Sequence, residues 1–272
     1  MRIVFINKSP RPDSGSIYGE VIERLQARGA DVELVVPEEH FFDLRRLDTS
    51  PDLYVLRSRT NVALNLAAAL EVAGAPLLIP YARERVLRNK FLLQQQLVKA
   101  GIPVPRSYLV WSADKLGGLL AERGPLVIKP HGGHGGAGVR VVRDAAGLEA
   151  LAGLDGPLFV QEYKEHEGSD LKVYGIGTHV SAIRRVFPAR TPEEKRGTPA
   201  EVPDEVREVA LRCDAALGLG LFGVDFVDTS DGPVVIDINS MPGYKGIEGA
   251  PARVAGYIFD RACGASAGEV AR

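Results

Sequence analysis

Asp225 and Asp237 lie in two apolar runs, Phe222–Asp228 and Pro233–Ile238, joined by Thr229-Ser230-Asp231-Gly232. Taken as a hairpin with the three-residue loop Ser230-Asp231-Gly232, the segment puts Gly232 in the left-handed position that such loops need. Thr229 then opposes Pro233, and Asp225 falls directly opposite Asp237. The alternation agrees with this register. Phe222, Val224, Phe226, Val234, Ile236 and Ile238 share one face, and Asp225, Asp237 and Asn239 share the other. Like charges opposed across a ladder, with Cβ atoms about 5 Å apart, destabilise it. A hard divalent cation reverses that sign, and two carboxylates with an amide oxygen, completed by phosphate and water, are a usual way to hold magnesium. The competing reading leaves one aspartate simply facing solvent.

Lys129 ends the strand-like run Leu126-Val127-Ile128-Lys129, just before a loop, His131–Gly138, that contains five glycines. A lysine placed so can reach a phosphate over which the loop closes, because glycines let backbone N–H groups approach phosphate oxygens. Against this, glycine-rich loops are common and the segment lacks the Gly-Lys-Ser/Thr ending of a P-loop. His131 and His134 read as polar loop residues rather than metal ligands. Glu162, at the end of the run Leu158–Tyr163, either accepts from an adenine amino group or a ribose hydroxyl, or is a charged strand terminus. Asp170, Lys172 and Tyr174 alternate along the next strand and share a face. Arg184, Arg185, Arg190, Lys195 and Arg196 form a basic stretch around a proline-broken loop. Such a stretch is solvated surface or, beside a magnesium–phosphate site, a clamp on an anionic substrate.

The elements that must position these residues fall into two styles. Up to residue 80, Arg2–Ile6, Val32–Val36 and Asp52–Leu56 read as strands, and the apolar run Pro76–Ile79 follows. A helix from the cap Ser16 to Gly29 and another over Asn61–Ala73 lie between them. Strand–helix–strand repeated twice implies a small parallel sheet with helices on its faces. No GxGxxG follows its first strand, which weakens a dinucleotide reading. Beyond Pro80 a helix covers Glu84–Ala100 and Pro103/Pro105 marks a hinge. Three hairpin-like pairs follow: Leu126–Pro130 with Val139–Val142, Leu158–Tyr163 with Leu171–Ile176, and Phe222–Asp228 with Pro233–Ile238. A helix from Pro203 to Gly218 interrupts them, so this part is α+β.

Composition bounds the rest. The chain has 272 residues, and this length corresponds to roughly two domains. Apolar residues at 45% and charged residues at 25% exclude wholesale disorder. A net charge of −2 gives no nucleic-acid or anionic-membrane surface. No stretch approaches a membrane span. The two cysteines, Cys213 and Cys263, fit a reducing compartment, and the polar break after Ile6 leaves no room for a signal-peptide core. A cytoplasmic protein is expected.

In order, Arg88-Asn89-Lys90, Val-Ile-Lys129 before a glycine loop, Gln-Glu162-Tyr163, Asp170-Leu-Lys172, Gly223-Val-Asp225 and Asp237-Ile-Asn239-Ser-Met-Pro-Gly243 resemble the ATP-grasp superfamily over roughly residues 53–262, most closely its RimK-like carboxylate–amine ligases. The resemblance implies an ATP-grasp fold behind a small Rossmann-like parallel-sheet domain, an α/β and α+β chain divided at 1–82 and 83–272, with 107–160 as the lid. It implies ATP held by Lys90, Lys129, Gly135, Gly136, Glu162, Tyr163 and, at the ribose, Asp170. It also implies two Mg2+ ions, replaceable by Mn2+, on Asp225, Asp237 and Asn239. Catalytic roles would fall to Arg184, Arg185 and Lys172, and substrate contacts to Arg57, Arg59, Arg190 and Ser240. Partners would be a small-molecule or peptide carboxylate and an amine, and a homodimer stays open. Two departures stand out. The ligases usually carry Glu where this chain has Asp237, and their Arg-x-Asn before the helix at 203 is missing. The Asp237–Tyr244 run instead looks like inositol-trisphosphate kinases of the same fold. A small-molecule kinase acting on a phosphorylated polyol is therefore the alternative, and a nucleotide-binding regulator without catalysis the third reading.

Overall fold

The computed structural model describes residues 1–10, 16–129, 138–151, 153–166, 168–189 and 191–269. A three-stranded parallel sheet, ordered β2-β1-β3, opens the chain, from β1 (Arg2–Ile6), β2 (Asp31–Val35) and β3 (Leu53–Leu56). α1 (Tyr18–Ala27) and α2 (Asn61–Val72) cover it on its two faces. Pro76–Ile79 contributes a single parallel bridge, Tyr54 to Leu77, and no full strand. Ser16 sits one residue outside its expected place: Ile17 is the N-cap of α1, and Ser16 Oγ accepts from the Tyr18 N–H at 3.3 Å.

The expected helix over Glu84–Ala100 is two helices, α3 (Tyr81–Arg88) and α4 (Lys90–Lys99). Asn89 makes the break. Its backbone is extended, and its Oδ1 accepts from the N–H groups of Phe91 and Leu92, which restarts the helix as an N-cap. Lys90 is thereby the first residue of α4.

β4 (Ser107–Ser112), β5 (Leu126–Lys129), β6 (Arg140–Val142) and β7 (Asp155–Glu162) form an antiparallel sheet ordered β4-β7-β5-β6, backed by α5 (Leu116–Arg123) and α6 (Ala145–Glu149). Its core is its own: Leu116, Leu126, Ile128, Val142, Leu151, Leu158 and Val160. The pairing expected between Leu158–Tyr163 and Leu171–Ile176 does not form. β7 stays in this sheet, whereas β8 (Ser169–Ile176) starts another. Edge strand β4 carries no motif, so periodicity in its neighbours gave no sign of it.

The second antiparallel sheet is ordered β10-β9-β8-β11-β12, with β9 (His179–Val186), β10 (Thr198–Ala200), β11 (Leu221–Thr229) and β12 (Gly232–Ser240). The short helix α7 (Pro192–Arg196) precedes β10, and α8 (Asp204–Leu217) and α9 (Ala250–Glu269) complete the chain. Arg184 and Arg185, read as part of a loop, lie within β9, because a strand with charged edge positions resembles a solvated turn in sequence. One continuous core joins this sheet to the N-terminal one, running from Ile3 and Phe5 through Tyr18 and Val21 to Val173, Phe222, Val224 and Phe226. The other face of the N-terminal sheet packs a second cluster, Val4, Ile6, Leu64 and Ala67, under α2, and β4-β7-β5-β6 shares its core with neither of the other sheets.

Because the Asn89 side chain alone satisfies two orphan donors at the turn that carries Lys90, Asn89→Ala is expected to lower stability by about 1 kcal/mol in urea unfolding. Asn89→Ser or Asn89→Asp restores most of the loss.

Candidate active site

β11 and β12 place Asp225 directly opposite Asp237. The path to that register differs from the expected one. Thr229 pairs with Gly232, so the turn is Ser230-Asp231 alone, and Asp228, not Thr229, opposes Pro233. A bulge then inserts Ile236, since Asp225 pairs with Asp237 while Phe226 pairs with Val235. The shorter turn and the extra residue cancel, and the two aspartates still meet. The bulge also reverses parity: Val235 joins the main core, while Ile236 is only partly buried. Freed from the ladder, the Ile236 carbonyl accepts from Lys129 Nζ at 2.9 Å.

Neighbouring strands supply the countercharge. Lys172 lies opposite Asp225 on β8, and its ammonium donates to Asp225 Oδ1. Asp170, two residues earlier on the same face, lies opposite Arg185 on β9. The Arg185 guanidinium donates to both carboxylate oxygens of Asp170, and its Nη2 also lies 3.4 Å from Asp225 Oδ1. Strand alternation turns Arg184 to the opposite face, where Nη1 meets Asp228 at 3.2 Å. The structure therefore brings Arg185 to the carboxylates and holds Arg184 away from them.

Asp237 is the open member of the pair, 40% exposed against 15% for Asp225. Among the described residues its one ion pair is loose, with Lys90 Nζ at 3.9 Å. The Asn239 amide donates Nδ2 toward Asp237 at 3.4 Å, which leaves its oxygen as an acceptor. Among the described residues no three His, Cys, Asp or Glu side chains gather into a closed metal cage. Two carboxylates and one amide oxygen on an open face instead suit magnesium, which keeps ligand sites for water and phosphate. The residues fit the cation.

Lys129 approaches from the other antiparallel sheet. Burial, with the repulsion of Lys90 against the pull of Asp237 and Asp225, pushes its ammonium down to about 8. At the junction of the two sheets, Glu162 accepts from the Tyr108 hydroxyl at 2.9 Å. The Tyr163 ring lies 4.4 Å from the Arg143 guanidinium, and its hydroxyl is 3.2 Å from His166 Nε2. Ser240 is buried at the end of β12, and its carbonyl accepts from Arg59 Nη2 at 2.7 Å. Arg57 Nη1 donates to the next carbonyl, that of Met241, at 2.5 Å. Gly135, Gly136 and Arg190 lie outside the described residues. Sequence reasoning missed Tyr18, Tyr108 and Arg143; the one available signal was for Tyr18, on the apolar stripe of α1.

Two antiparallel sheets, one ending in a buried lysine and the other carrying opposed aspartates, are the architecture of an ATP-grasp enzyme. The comparisons go further. The family model for the RimK-like ATP-grasp domain matches residues 87–256. The "Probable alpha-L-glutamate ligase 2" of Shewanella baltica is 30% identical over 287 residues, covering 96% of this chain and 94% of that protein. The crystal structure of a RimK domain ATP-grasp protein from Sphaerobacter thermophilus superimposes with a TM-score of 0.79 at 24% identity, covering 97% of this chain and 100% of that one. The ATP-grasp ligase PsnB, in complex with a minimal precursor, Mg and ADP, gives 0.69 at 23% identity, with 97% of each chain covered. The chain belongs to the RimK-like ATP-grasp family, and is an ATP-dependent carboxylate–amine ligase. The kinase alternative finds no support in these matches, and the Asp237–Tyr244 likeness to kinases is confined to that run. No described helix is long and apolar enough to cross a membrane.

Lys129 supplies a pH signature. Its folded value of about 8 lies below the ordinary 10.5, so between these limits the unfolded chain holds a proton that the folded chain has released. Without nucleotide and metal, stability is expected to rise from pH 8 toward 10.5, by at most about 1.4 kcal/mol per pH unit from this group. Lys129→Met removes that rise in urea titrations, and a slope unchanged by the substitution assigns the rise to other groups.

Proposed function

We propose that the chain ligates glutamate, the substrate named for the Shewanella relative, to an amine- or carboxylate-bearing partner. The opposed Asp225–Asp237 pair beside Lys90 and Lys129 is the observation that carries this reading. In this reading Lys90 and Lys129 bind the triphosphate, while Glu162 and Tyr163 line the base. Asp225, Asp237 and Asn239 hold two magnesium ions, with manganese an effective substitute. Magnesium held by these residues would supply charge neutralisation at the transferring phosphoryl group.

A substrate carboxylate oxygen attacks the γ-phosphorus, the bond to the bridging oxygen breaks, and ADP leaves an acylphosphate. The amine then attacks the acyl carbon, loses its proton and expels phosphate. Arg185 stabilises the oxyanion of the tetrahedral intermediate, worth on the order of 3 kcal/mol. Asp170 and Lys172 serve here as its supports: Asp170, with both oxygens on Arg185, orients the guanidinium, and Lys172 offsets Asp225. Arg184, turned to the opposite face with Asp228, does not serve among the reacting groups, and Arg190 keeps the substrate contact that the resemblance implies. In this reading the domains divide at 1–82 and 83–272, with 107–160, packed around its own core, as the lid. The setting is cytoplasmic, in line with the free thiols of Cys213 and Cys263.

ATP labelled at the γ-phosphate, supplied with magnesium, glutamate and candidate acceptors, is expected to release inorganic phosphate only when both co-substrates are present. Asp237→Asn lowers that rate by about a hundredfold or more with an unchanged circular dichroism spectrum. Full turnover in Asp237→Asn removes the metal assignment. Label in a stable organic phosphate restores the kinase.

A further inference from the structure

The N-terminal sheet meets the active site at one place. β12 ends at Ser240, the Met241 N–H still donates to the Leu221 carbonyl at 3.0 Å, and the carbonyls of Ser240, Met241 and Pro242 follow in succession. Each accepts from a different side chain of the N-terminal unit. Arg59 Nη2 reaches Ser240 at 2.7 Å, Arg57 Nη1 reaches Met241 at 2.5 Å, and the buried Tyr18 hydroxyl reaches Pro242 at 3.1 Å. The Arg57 guanidinium also stacks on the Tyr18 ring, 3.6 Å from its centroid. Stacking on an aromatic face fixes the plane of the guanidinium and so the direction of its donors.

Both arginines stand where their own backbone is anchored. The N–H groups of Arg57 and Ser58 each donate to the Ile6 carbonyl at 2.8 Å, at the end of the central strand β1. The segment they hold is strained. Met241 has φ of 42° and Tyr244 of 47°, left-handed values in residues with a Cβ. Such conformations cost about 1–2 kcal/mol each and persist where surrounding contacts over-determine them, characteristically beside functional sites. The Tyr244 hydroxyl, donating to Gly175 at 2.9 Å, closes the far end of the segment. Asn239 and Asp237 lie immediately before it on the same strand.

We propose that Tyr18, Arg57 and Arg59 are positioning residues. In this proposal, three donors from the N-terminal unit fix the backbone at 240–242 and thereby aim Asp237 and Asn239 at the cation. The proposal rests on the metal reading of Asp225, Asp237 and Asn239. It replaces the substrate contacts that resemblance assigns to Arg57 and Arg59 with a role through the backbone.

The test uses the full-length protein, a non-hydrolysable ATP analogue and Mn2+ as the probe, with free Mn2+ followed by electron paramagnetic resonance in the absence of turnover. Arg57→Gln and Arg59→Gln are expected to weaken Mn2+ binding by about 10-fold or more, as loss of groups that orient metal ligands does. In steady state they lower kcat and leave the KM for the ligated substrate within about twofold, since uniform substrate binding is untouched. Tyr18→Phe removes one hydrogen bond while keeping the ring, so it reports on the clamp even where an arginine variant fails to fold; weaker Mn2+ binding is expected there too. Arg57→Lys, which keeps charge without the fixed fork, recovers only part of the affinity. A raised substrate KM with Mn2+ affinity unchanged overturns the proposal in favour of direct substrate contact. Wild-type Mn2+ affinity in Tyr18→Phe and both arginine variants overturns it outright. Asp237→Asn separates the two layers. If that variant weakens Mn2+ binding and the clamp variants do not, the clamp alone is wrong; if Asp237→Asn leaves binding intact, the metal reading itself fails.

Discussion

Two carboxylates forced to face each other across an antiparallel ladder govern the rest of this molecule. The repulsion is met asymmetrically. On the side of Asp225 the sheet itself provides the answer: Lys172 from β8, then Arg185 from β9, itself held by Asp170. Two acids and two bases alternate across three strands, nearly closed to solvent, and their charges cancel. Removing any single member would leave a buried unpaired charge, which costs far more than the pair contributes. Among the described residues Asp237, on the edge strand β12, has a loose ion pair with Lys90 and the longer-range pull of Lys129. The less compensated carboxylate is therefore the exposed one.

The two antiparallel sheets keep separate cores. The sheet of β8 to β12 shares one core with the N-terminal unit and carries the acids on a rigid base. The sheet of β4 to β7 is packed around Leu126, Ile128 and Val160 and brings a lysine. Among the described residues, Lys129 Nζ to the Ile236 carbonyl is the polar bond that ties the β5 end to the acidic hairpin. A buried ammonium resting on a neutral carbonyl is incompletely compensated, and its lowered pKa is the measure of that. Phosphate oxygens would satisfy it better.

Much of this was legible in the residues. Alternation put Asp170, Lys172 and Tyr174 on one face, because strand periodicity is strict, whereas the pairing of Asp225 with Asp237 was reached only because a loop one residue too long and an unseen bulge cancel. The details that failed share a physical cause. The loop at 230–232 and the bulge at Ile236 each shift register by one, and no local propensity distinguishes the compensated pair from the simple hairpin. Asn89 could not be recognised as a break, since an asparagine inside a helical pattern becomes an N-cap only when the chain around it bends. β9 was hidden because Arg184 and Arg185 are charged on both faces of the strand; only the partner strand shows that one of them is buried with Asp170. Tyr18, Arg57 and Arg59 converge on residues 240–242 across nearly the whole chain, and no spacing rule reaches that far.

The aspartate at 237, where the ligases usually carry glutamate, gives these long-range contacts their weight. A side chain shorter by one methylene has less freedom to find a cation, so the position of its backbone must do what rotamers otherwise would. Two features act on that backbone. The bulge at Ile236 bends and twists β12 just before Asp237. The bonds to residues 240–242 fix the strand just after Asn239. Between these two points the ligand-bearing stretch is short, extended and held at both ends. Its geometry is then a property of the junction between the N-terminal sheet and β12, and the N-terminal unit is part of the active site through the backbone it holds.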